Sequence, residues 1–170
     1  MGTRRSATIT RNIDASSWGL EASAGRNLGA NLKLDATLAY VHGDNTSDHL
    51  PLAQLPPLES RLIATWDNRV WSFGGLVRLV ARQERIAPNQ GNIVGQDIDA
   101  TGGFGVLSLN AGWKPDKMLQ LSAGVDNLLD KNYAEHISRG AVAIPGYALQ
   151  TTRVNEPGRN LWLKLNAMFD

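Results

Sequence analysis

The chain has 170 residues, a formal net charge of +1, a hydrophobic content of 42% and no cysteine. A chain of this length can form one domain with a substantial core. Basic residues never run to more than two in a row, which argues against nucleic acid as a partner, because phosphate binding needs clustered Lys and Arg. The lack of cysteine excludes disulfides and thiolate metal sites, and it is compatible with an extracytoplasmic location.

Hydrophobic residues alternate with polar ones along much of the chain instead of forming long apolar runs. No stretch approaches the roughly 20 apolar residues of a transmembrane helix. The clearest alternation lies at 159–169, where three leucines, Ala167 and Phe169 share one face. A period of two residues predicts a half-exposed strand rather than a helix.

The predicted strands are separated by alternating short turns and long loops. Seven strands are predicted, at 6–28, 32–40, 61–67, 71–84, 107–113, 119–125 and 159–169. A turn at 14–18 would split the first strand but would place two short connections in succession, so one long bent strand is predicted. Outer-membrane barrels combine short periplasmic turns with long extracellular loops, which places the C-terminus at the periplasmic end.

Aromatic residues support a membrane location for this sheet. Trp66, Trp71 and Trp113 each lie beside a predicted short turn and have the parity of the apolar residues, as does Phe169 at the chain end. This arrangement predicts a membrane girdle, and the alternative is a set of aromatics at the core edge of a soluble sandwich. Arg26 is the exception to an almost uncharged apolar face, and it lies near a turn.

Two segments near the C-terminus resemble TonB-dependent outer-membrane receptors. They read NLLDKNYAEHISR at 127–139 and TTRVNEPGRNLWLKL at 151–165, with Leu129 where the family usually has Phe. The early segment NIDASSWGLEASAGRNLGANLKLDATLAYVHGDN also resembles the family, so the similarity covers nearly the whole chain. Within the family, YAEHISR together with TTRVNEPGR and LWLK is most similar to copper receptors, and ferric-siderophore receptors are the alternative.

The resemblance implies an all-β, antiparallel up-and-down transmembrane β-barrel segment, about the last third of a 22-stranded barrel around an N-terminal plug. Residues 1–170 would then be the C-terminal barrel part of a receptor in the outer membrane of a Gram-negative bacterium, without plug domain, TonB box or signal peptide. The last strand would lack its natural neighbour and form an exposed edge.

The same resemblance implies the partners of the intact receptor. They are the outer-membrane bilayer, TonB, the plug domain, copper or a metal chelate, and the assembly machinery that reads the C-terminal aromatic. Here that aromatic, Phe169, is followed by Asp170. Neither a cofactor nor an enzymatic activity is predicted, since the sequence lacks a nucleophile elbow, a phosphate loop and a His-Glu-x-x-His motif.

Three histidines are the candidate metal ligands. His42 and His49 lie at the start of the first long loop with Asp44 and Asp48, and imidazole and carboxylate suit several first-row metals. The alternative is a pair of solvated loop histidines. His136 lies in the YAEHIS segment, where a hydrogen bond at the base of the loop is the alternative to a metal or substrate role.

Charged residues on the polar parity of two strands are predicted to face the barrel lumen. They are Arg61, Asp67, Arg78, Arg82 and Glu84. They could guide an anionic chelate or contact the plug, and the alternative is a solvated, charge-paired lumen.

Two further functions remain open from the sequence. One is a small self-contained outer-membrane barrel with a structural or adhesive role, which would need an even number of strands. The other is a soluble ligand-binding barrel, which would turn its apolar face inward and its charges outward.

Overall fold

The structure is a computed structural model that describes residues 10–91, 95–138 and 153–169. Within these ranges it contains eight β-strands, and none of the described residues is helical. The strands are β1 (Ala15–Leu28), β2 (Leu32–Asn45), β3 (Leu50–Pro51), β4 (Glu59–Asp67), β5 (Trp71–Val80), β6 (Phe104–Trp113), β7 (Leu119–Asp126) and β8 (Asn160–Ala167). No helix in the described ranges has the length and apolarity needed to cross a membrane.

The strands form one antiparallel sheet in the order β1-β2-β4-β5-β6-β7-β8, with β3 paired to the end of β2. Apart from the short β3, each strand pairs with the next strand along the chain, and short and long connections alternate. The predicted all-β, up-and-down antiparallel architecture is therefore confirmed. The sheet is open, with β1 and β8 at its edges, so these strands alone do not close a barrel.

The prediction that the first strand begins at residue 6 was wrong over the part that the structure describes. Thr10–Asp14 precede β1, and residues 1–9 lie outside the described ranges. The β1–β2 ladder begins with the pair Ala15 and Asn45, because β2 ends at Asn45 and offers no further partner. The carbonyl of Asp14 instead accepts hydrogen bonds from the backbone nitrogens of Thr46 (2.9 Å) and Ser47 (3.4 Å).

The predicted strand 71–84 was also too long, since β5 ends at Val80. Arg82 and Glu84, predicted as strand residues facing the lumen, follow that end. Pairing with β6 stops where Gly103 passes so close to β5 that an added Cβ would lie 2.8 Å from the Val80 carbonyl oxygen. It resumes in the same register only at the single bridge between Gln83 and Thr101.

Three strand features differ from the prediction. β2 continues to Asn45, five residues past its predicted end, so His42 lies in the strand and not in the first long loop. The two-residue β3 lies inside the first long loop, where Pro51 pairs with Asp44. β6 begins at Phe104, three residues before its predicted start, so part of the predicted long loop belongs to the sheet.

The register sorts the side chains onto two faces. One face, called here the apolar face, carries the predicted apolar residues of all seven long strands in continuous rows across the sheet. One such row contains Arg26, Leu34, Ala64, Gly75, Leu109, Val125 and Leu161. The opposite polar face includes Asp35, Arg61 and Arg78, of which Arg61 and Arg78 are direct cross-strand partners.

The strands are staggered along the sheet. The first hairpin closes at the pair Leu28 and Leu32, in the row that contains Trp66 and Phe73. The β5–β6 ladder extends two residues beyond this row, to Trp71, and the β7–β8 ladder extends four, to Leu119. A stagger of about one residue per strand corresponds to a strand tilt of about 35°, as in closed barrels.

The buried hydrophobic and polar side chains lie at the end of the sheet that carries the long loops. The buried hydrophobic residues are Val80, Ala87 and Phe104, and the buried polar residues are Asn45, Asp97, Asn127, His136 and Arg153. None of them lies in the middle of a strand. The described residues thus form an open sheet whose enclosed contacts are concentrated among the loops.

Candidate functional site

A charged cluster on the polar face connects the sheet to the last long loop. Arg78 donates from Nη2 to Oε2 of Glu59 at 2.6 Å, and both of its terminal nitrogens donate to the Glu135 carboxylate. Its guanidinium carbon lies 5.3 Å from the ring centre of Phe104, which packs 4.2 Å from the ring of Tyr133. Since Tyr133 and Glu135 belong to the β7–β8 loop, this cluster holds that loop against the sheet.

The other residues predicted to face the lumen are also paired. Arg61 lies on the polar face and donates from Nε to Oε1 of Glu59 at 2.6 Å. Asp67 lies at the short-turn end, where its carboxylate accepts from the backbone nitrogen of Arg69. Arg82 and Glu84 form an exposed ion pair at 2.9 Å beyond the strand. These pairs agree with the alternative of a charge-paired lumen. A role of these residues in guiding a chelate stays a prediction.

A second cluster, which we call the Asp97 cluster, joins two long loops and contains Gln54, Ala87 and Asp97. The Asp97 side chain is almost fully buried. Its Oδ1 accepts from the backbone nitrogen of Gln54 at 3.0 Å and from the Gln54 amide at 3.2 Å, and its Oδ2 accepts from the Ala87 nitrogen at 2.9 Å. One carboxylate therefore satisfies donors from the β3–β4 and β5–β6 connections.

The third long loop meets this cluster through His136. Its imidazole is 2% exposed, with Nδ1 3.0 Å from the Thr101 hydroxyl and Nε2 3.5 Å from Oδ1 of Asp97. The His136 carbonyl accepts from Arg153, which also donates to the Asp99 carbonyl at 2.6 Å and to its carboxylate at 3.0 Å. Residues from all three long loops are thus joined by buried polar contacts.

The surroundings of His136 determine its charge. Burial lowers the pKa of His136 below its usual value, and the nearby Asp97 carboxylate opposes that shift only in part. The imidazole is therefore neutral at neutral pH. The sequence left two roles open for His136, a metal ligand or a structural hydrogen bond. The contact with Thr101 is a structural hydrogen bond.

The predicted ligands His42 and His49 are not brought together with a set of carboxylates. His42 lies 3.3 Å from Asp44 and stacks on Trp18, whereas His49 is exposed and has a positive φ of 56°. Asp48 is engaged by Arg11 and Asn45. Within the described ranges no three His, Asp or Glu side chains form a group that could hold a metal ion.

The aromatic residues of the apolar face lie at both ends of the strands. Near the short turns, the rings of Trp66 and Phe73 are 5.7 Å apart and those of Trp71 and Trp113 are 5.9 Å apart. Phe169 is 90% exposed beyond the end of β8. The sequence reading missed a second group at the loop end, made of Trp18, Tyr40 and His42.

The two C-terminal motifs contact each other directly. The Asn127 amide donates to the carbonyls of Lys131 (2.9 Å) and Pro157 (3.4 Å). The carboxylate of Asp130 accepts from the backbone nitrogen of Arg159 at 2.8 Å. An added Cβ on Gly158 would lie 2.8 Å from that carboxylate, so a larger residue there would displace the Asp130 side chain. These motifs therefore fix how the chain enters β8.

Several residues of these clusters were not singled out by sequence reading. They are Asp97, Phe104, Tyr133, Glu135 and Arg153. Asp97 lies in a Gly-, Asn- and Asp-rich segment that has the composition of a solvated loop. The available signal was the resemblance itself, since Tyr133, Glu135 and Arg153 lie in its quoted segments. The remainder of that loop, residues 139–152, lies outside the described ranges.

Comparison with solved structures supports the barrel architecture. The copper transporter OprC superposes with a TM-score of 0.87 at 46% identity, covering 93% of this chain and 24% of that protein. A mutant ferric enterobactin receptor from Pseudomonas aeruginosa superposes with a TM-score of 0.65 at 23% identity, covering 89% of this chain and 22% of that receptor. The second similarity shows the fold alone. This chain spans about a quarter of the length of either protein.

Sequence comparison identifies the family of this chain. The ferric enterobactin receptor of Pseudomonas aeruginosa is 35% identical over 78 residues, which cover 45% of this chain and 10% of that receptor. A family model described as "TonB dependent receptor-like, beta-barrel" matches residues 2–128. The related proteins are named as receptors and transporters, and the family is one of the outer membrane. The chain belongs to the TonB-dependent receptor β-barrel family.

Proposed function

We propose that this chain is the C-terminal barrel wall of an outer-membrane receptor that takes up copper, as the ion or as a chelate. The observation that carries the proposal is the 46% identity to the copper transporter OprC over 93% of the chain. Identity to the ferric enterobactin receptor structures is 23% to 24%. A shared substrate is therefore better supported for copper than for a ferric siderophore.

The geometry supports a membrane wall with an outward apolar face. Ten residues of β2 separate Leu32, in the row of Trp66, from His42 in the other aromatic group. At about 3.3 Å per residue and a tilt of about 40°, these levels lie about 25 Å apart, which matches the apolar band of an outer-membrane barrel. We assign Trp66, Trp71, Trp113 and Phe169 to the periplasmic girdle, and Trp18 and Tyr40 to the extracellular girdle.

In this proposal the polar face lines the lumen and the long loops lie outside the cell. Arg78 and the Asp97 cluster hold the loops over the lumen, so this part of the receptor shapes the entrance. The intact receptor would contain the plug and would be energised through TonB. His136 is engaged in the loop cluster, so His42 and His49 are the more accessible candidate ligands.

Copper uptake by the intact receptor tests the proposal. The receptor containing this sequence is produced in cells that lack their own copper receptor, and cell-associated copper is measured under copper limitation. We expect copper to rise with receptor and to depend on TonB, while uptake of ferric enterobactin stays at background. Uptake of ferric enterobactin without copper would overturn the assignment, and it would favour the receptor that is 35% identical over 78 residues.

The histidines are tested separately by titrating copper into the purified intact receptor. His42→Ala and His49→Ala are compared with the wild type, and His136→Gln serves as a control that retains hydrogen bonding. A weaker copper affinity in His42→Ala or His49→Ala would place a ligand at the loop end of β2. Unchanged affinity in both variants would remove these histidines from the copper site while leaving the uptake proposal intact.

A further inference from the structure

A groove crosses the apolar face of the sheet from β1 to β6. Its volume is about 550 Å³. It exists because small residues occupy consecutive strands where larger apolar ones flank them. The small residues are Ala24, Ala36, Ala64 and Gly75, and the flanking residues are Leu34, Leu62, Val77 and Leu107. Four strand spacings make this groove about 19 Å long.

Arg26 lies at the β1 end of the groove and contributes to its lining. Its side chain is exposed and makes no ion pair or hydrogen bond with any residue in the described ranges. Asp35 also contributes to the lining, but its side chain lies on the polar face and is paired with Lys33 at 2.9 Å. The groove therefore joins an unpaired guanidinium to a strip of apolar surface.

The stagger of the strands places Arg26 at the level of the periplasmic girdle. Relative to the row through Trp66, Trp71 lies two residues toward the short turns and Phe169 lies six. The line through these aromatic residues therefore slopes by about one residue per strand. On β1 the row through Trp66 contains Leu28, and the line lies two residues closer to the long loops, at Arg26. Arg26 thus lies at the membrane interface, where arginine costs about 0–1 kcal/mol, although it is not in the turn.

The same slope gives the groove a direction. On each later strand the girdle lies closer to the short turns. A row that starts at the girdle on β1 therefore lies deeper in the apolar band with each strand. From Arg26 the groove therefore descends past Ala64 and Gly75 toward Leu107. A cation at the interface with an apolar channel leading into the bilayer has the charge and shape of a site for one phospholipid.

We propose that Arg26 and this groove bind an anionic phospholipid of the periplasmic leaflet. Its phosphate pairs with the Arg26 guanidinium, which is a favoured phosphate partner, and one acyl chain occupies the groove. The proposal rests on the membrane orientation in the proposed function but not on copper as substrate.

Lipid retention by the intact receptor tests this site. The receptor is reconstituted in nanodiscs of phosphatidylethanolamine and phosphatidylglycerol, released into mild detergent, and analysed by native mass spectrometry. We expect Arg26→Gln to reduce retained phosphatidylglycerol about fivefold, as the loss of one interfacial cation predicts. Gly75→Leu should reduce it similarly by filling the groove. An added Cβ at Gly75 meets only Leu109, at 3.4 Å, so this change fits the sheet.

Lys117→Gln is the matched control, because Lys117 lies in the β6–β7 turn at the same end of the sheet and does not line the groove. Equal retention in Arg26→Gln and wild type, or equal loss in Lys117→Gln, would overturn the site. Quenching of tryptophan fluorescence by brominated lipids is measured on the same samples. Absence of quenching would show that the membrane orientation itself is wrong, whereas quenching with unchanged retention would reject the lipid site alone.

Discussion

The sheet and the loop end of this molecule are held together in opposite ways. Along the sheet, large apolar side chains are exposed, with Leu161 at 75% and Leu163 at 72%. Among the loops, charged and polar side chains are buried, with Asp97 and His136 at 2% each. A soluble domain buries its leucines and exposes its acids, so the usual distribution is inverted here.

The inversion shows which interactions stabilise each region. The strands are joined by continuous backbone ladders, and their apolar side chains contribute when a bilayer covers them. In the described loop residues, backbone pairing is limited to β3 and isolated bridges, and the buried carboxylate of Asp97 satisfies two backbone donors. Substitutions in the loops should therefore act through unsatisfied polar groups, whereas substitutions in the sheet should act through the lipid.

Removing the central carboxylate of the Asp97 cluster should have the largest effect. Asp97→Ala leaves the backbone donors of Gln54 and Ala87 unsatisfied, and it should destabilise the folded loops by about 3–5 kcal/mol. Glu84→Ala is the control, since Glu84 lies in the same β5–β6 connection and its side chain is 66% exposed. Limited proteolysis of the intact receptor in detergent measures the change. Equal cleavage of both variants would contradict a special role for the buried carboxylate.

A pair of adjacent residues on β4 tests the assignment of the two faces. Leu62 lies on the apolar face and Ile63 on the polar face, one residue apart. Leu62→Arg should cost about 2–4 kcal/mol in a bilayer, because it places a charge near the middle of the apolar band. Ile63→Arg should have little effect, since its cross-strand partner is Asp35. Urea titrations of both variants in lipid vesicles compare the costs, and equal costs would break the distinction between the faces.

The sequence was sufficient for this distinction because strand periodicity and turn position are local properties. Alternation placed Leu62 on the apolar face, and the turn after Trp66 set the end of the strand. No local pattern distinguishes the buried Asp97 from exposed acids in the same loop, such as Asp99, because its burial depends on the distant Gln54 and His136. The ends of β1 and β5 were misplaced for a related reason, since pairing there depends on where the partner chain turns away.

The smallest expected effect is a loosening of the loops in acid. The folded-state pKa of His136 is lowered below its unfolded value near 6.5, mainly by burial. Its neutral form therefore stabilises the loops fully above pH 6.5, and this contribution is lost as the pH falls toward the folded-state pKa. Asp97, Asp99 and Arg153 are the charged groups around it, and the two carboxylates limit the effect.

Hydrogen exchange of the intact receptor in nanodiscs checks this sign. After correction for intrinsic rates, protection of the Gln54 and Ala87 amides, which donate to Asp97, should fall between pH 7.5 and 5.5. Amides of the β4–β5 ladder serve as an internal reference and should keep their protection. His136→Gln should remove most of the pH dependence, since an amide side chain does not titrate in this range. Rising protection of Gln54 in acid would mean that the Asp97 carboxylate outweighs burial, and that His136 fastens the loops when charged.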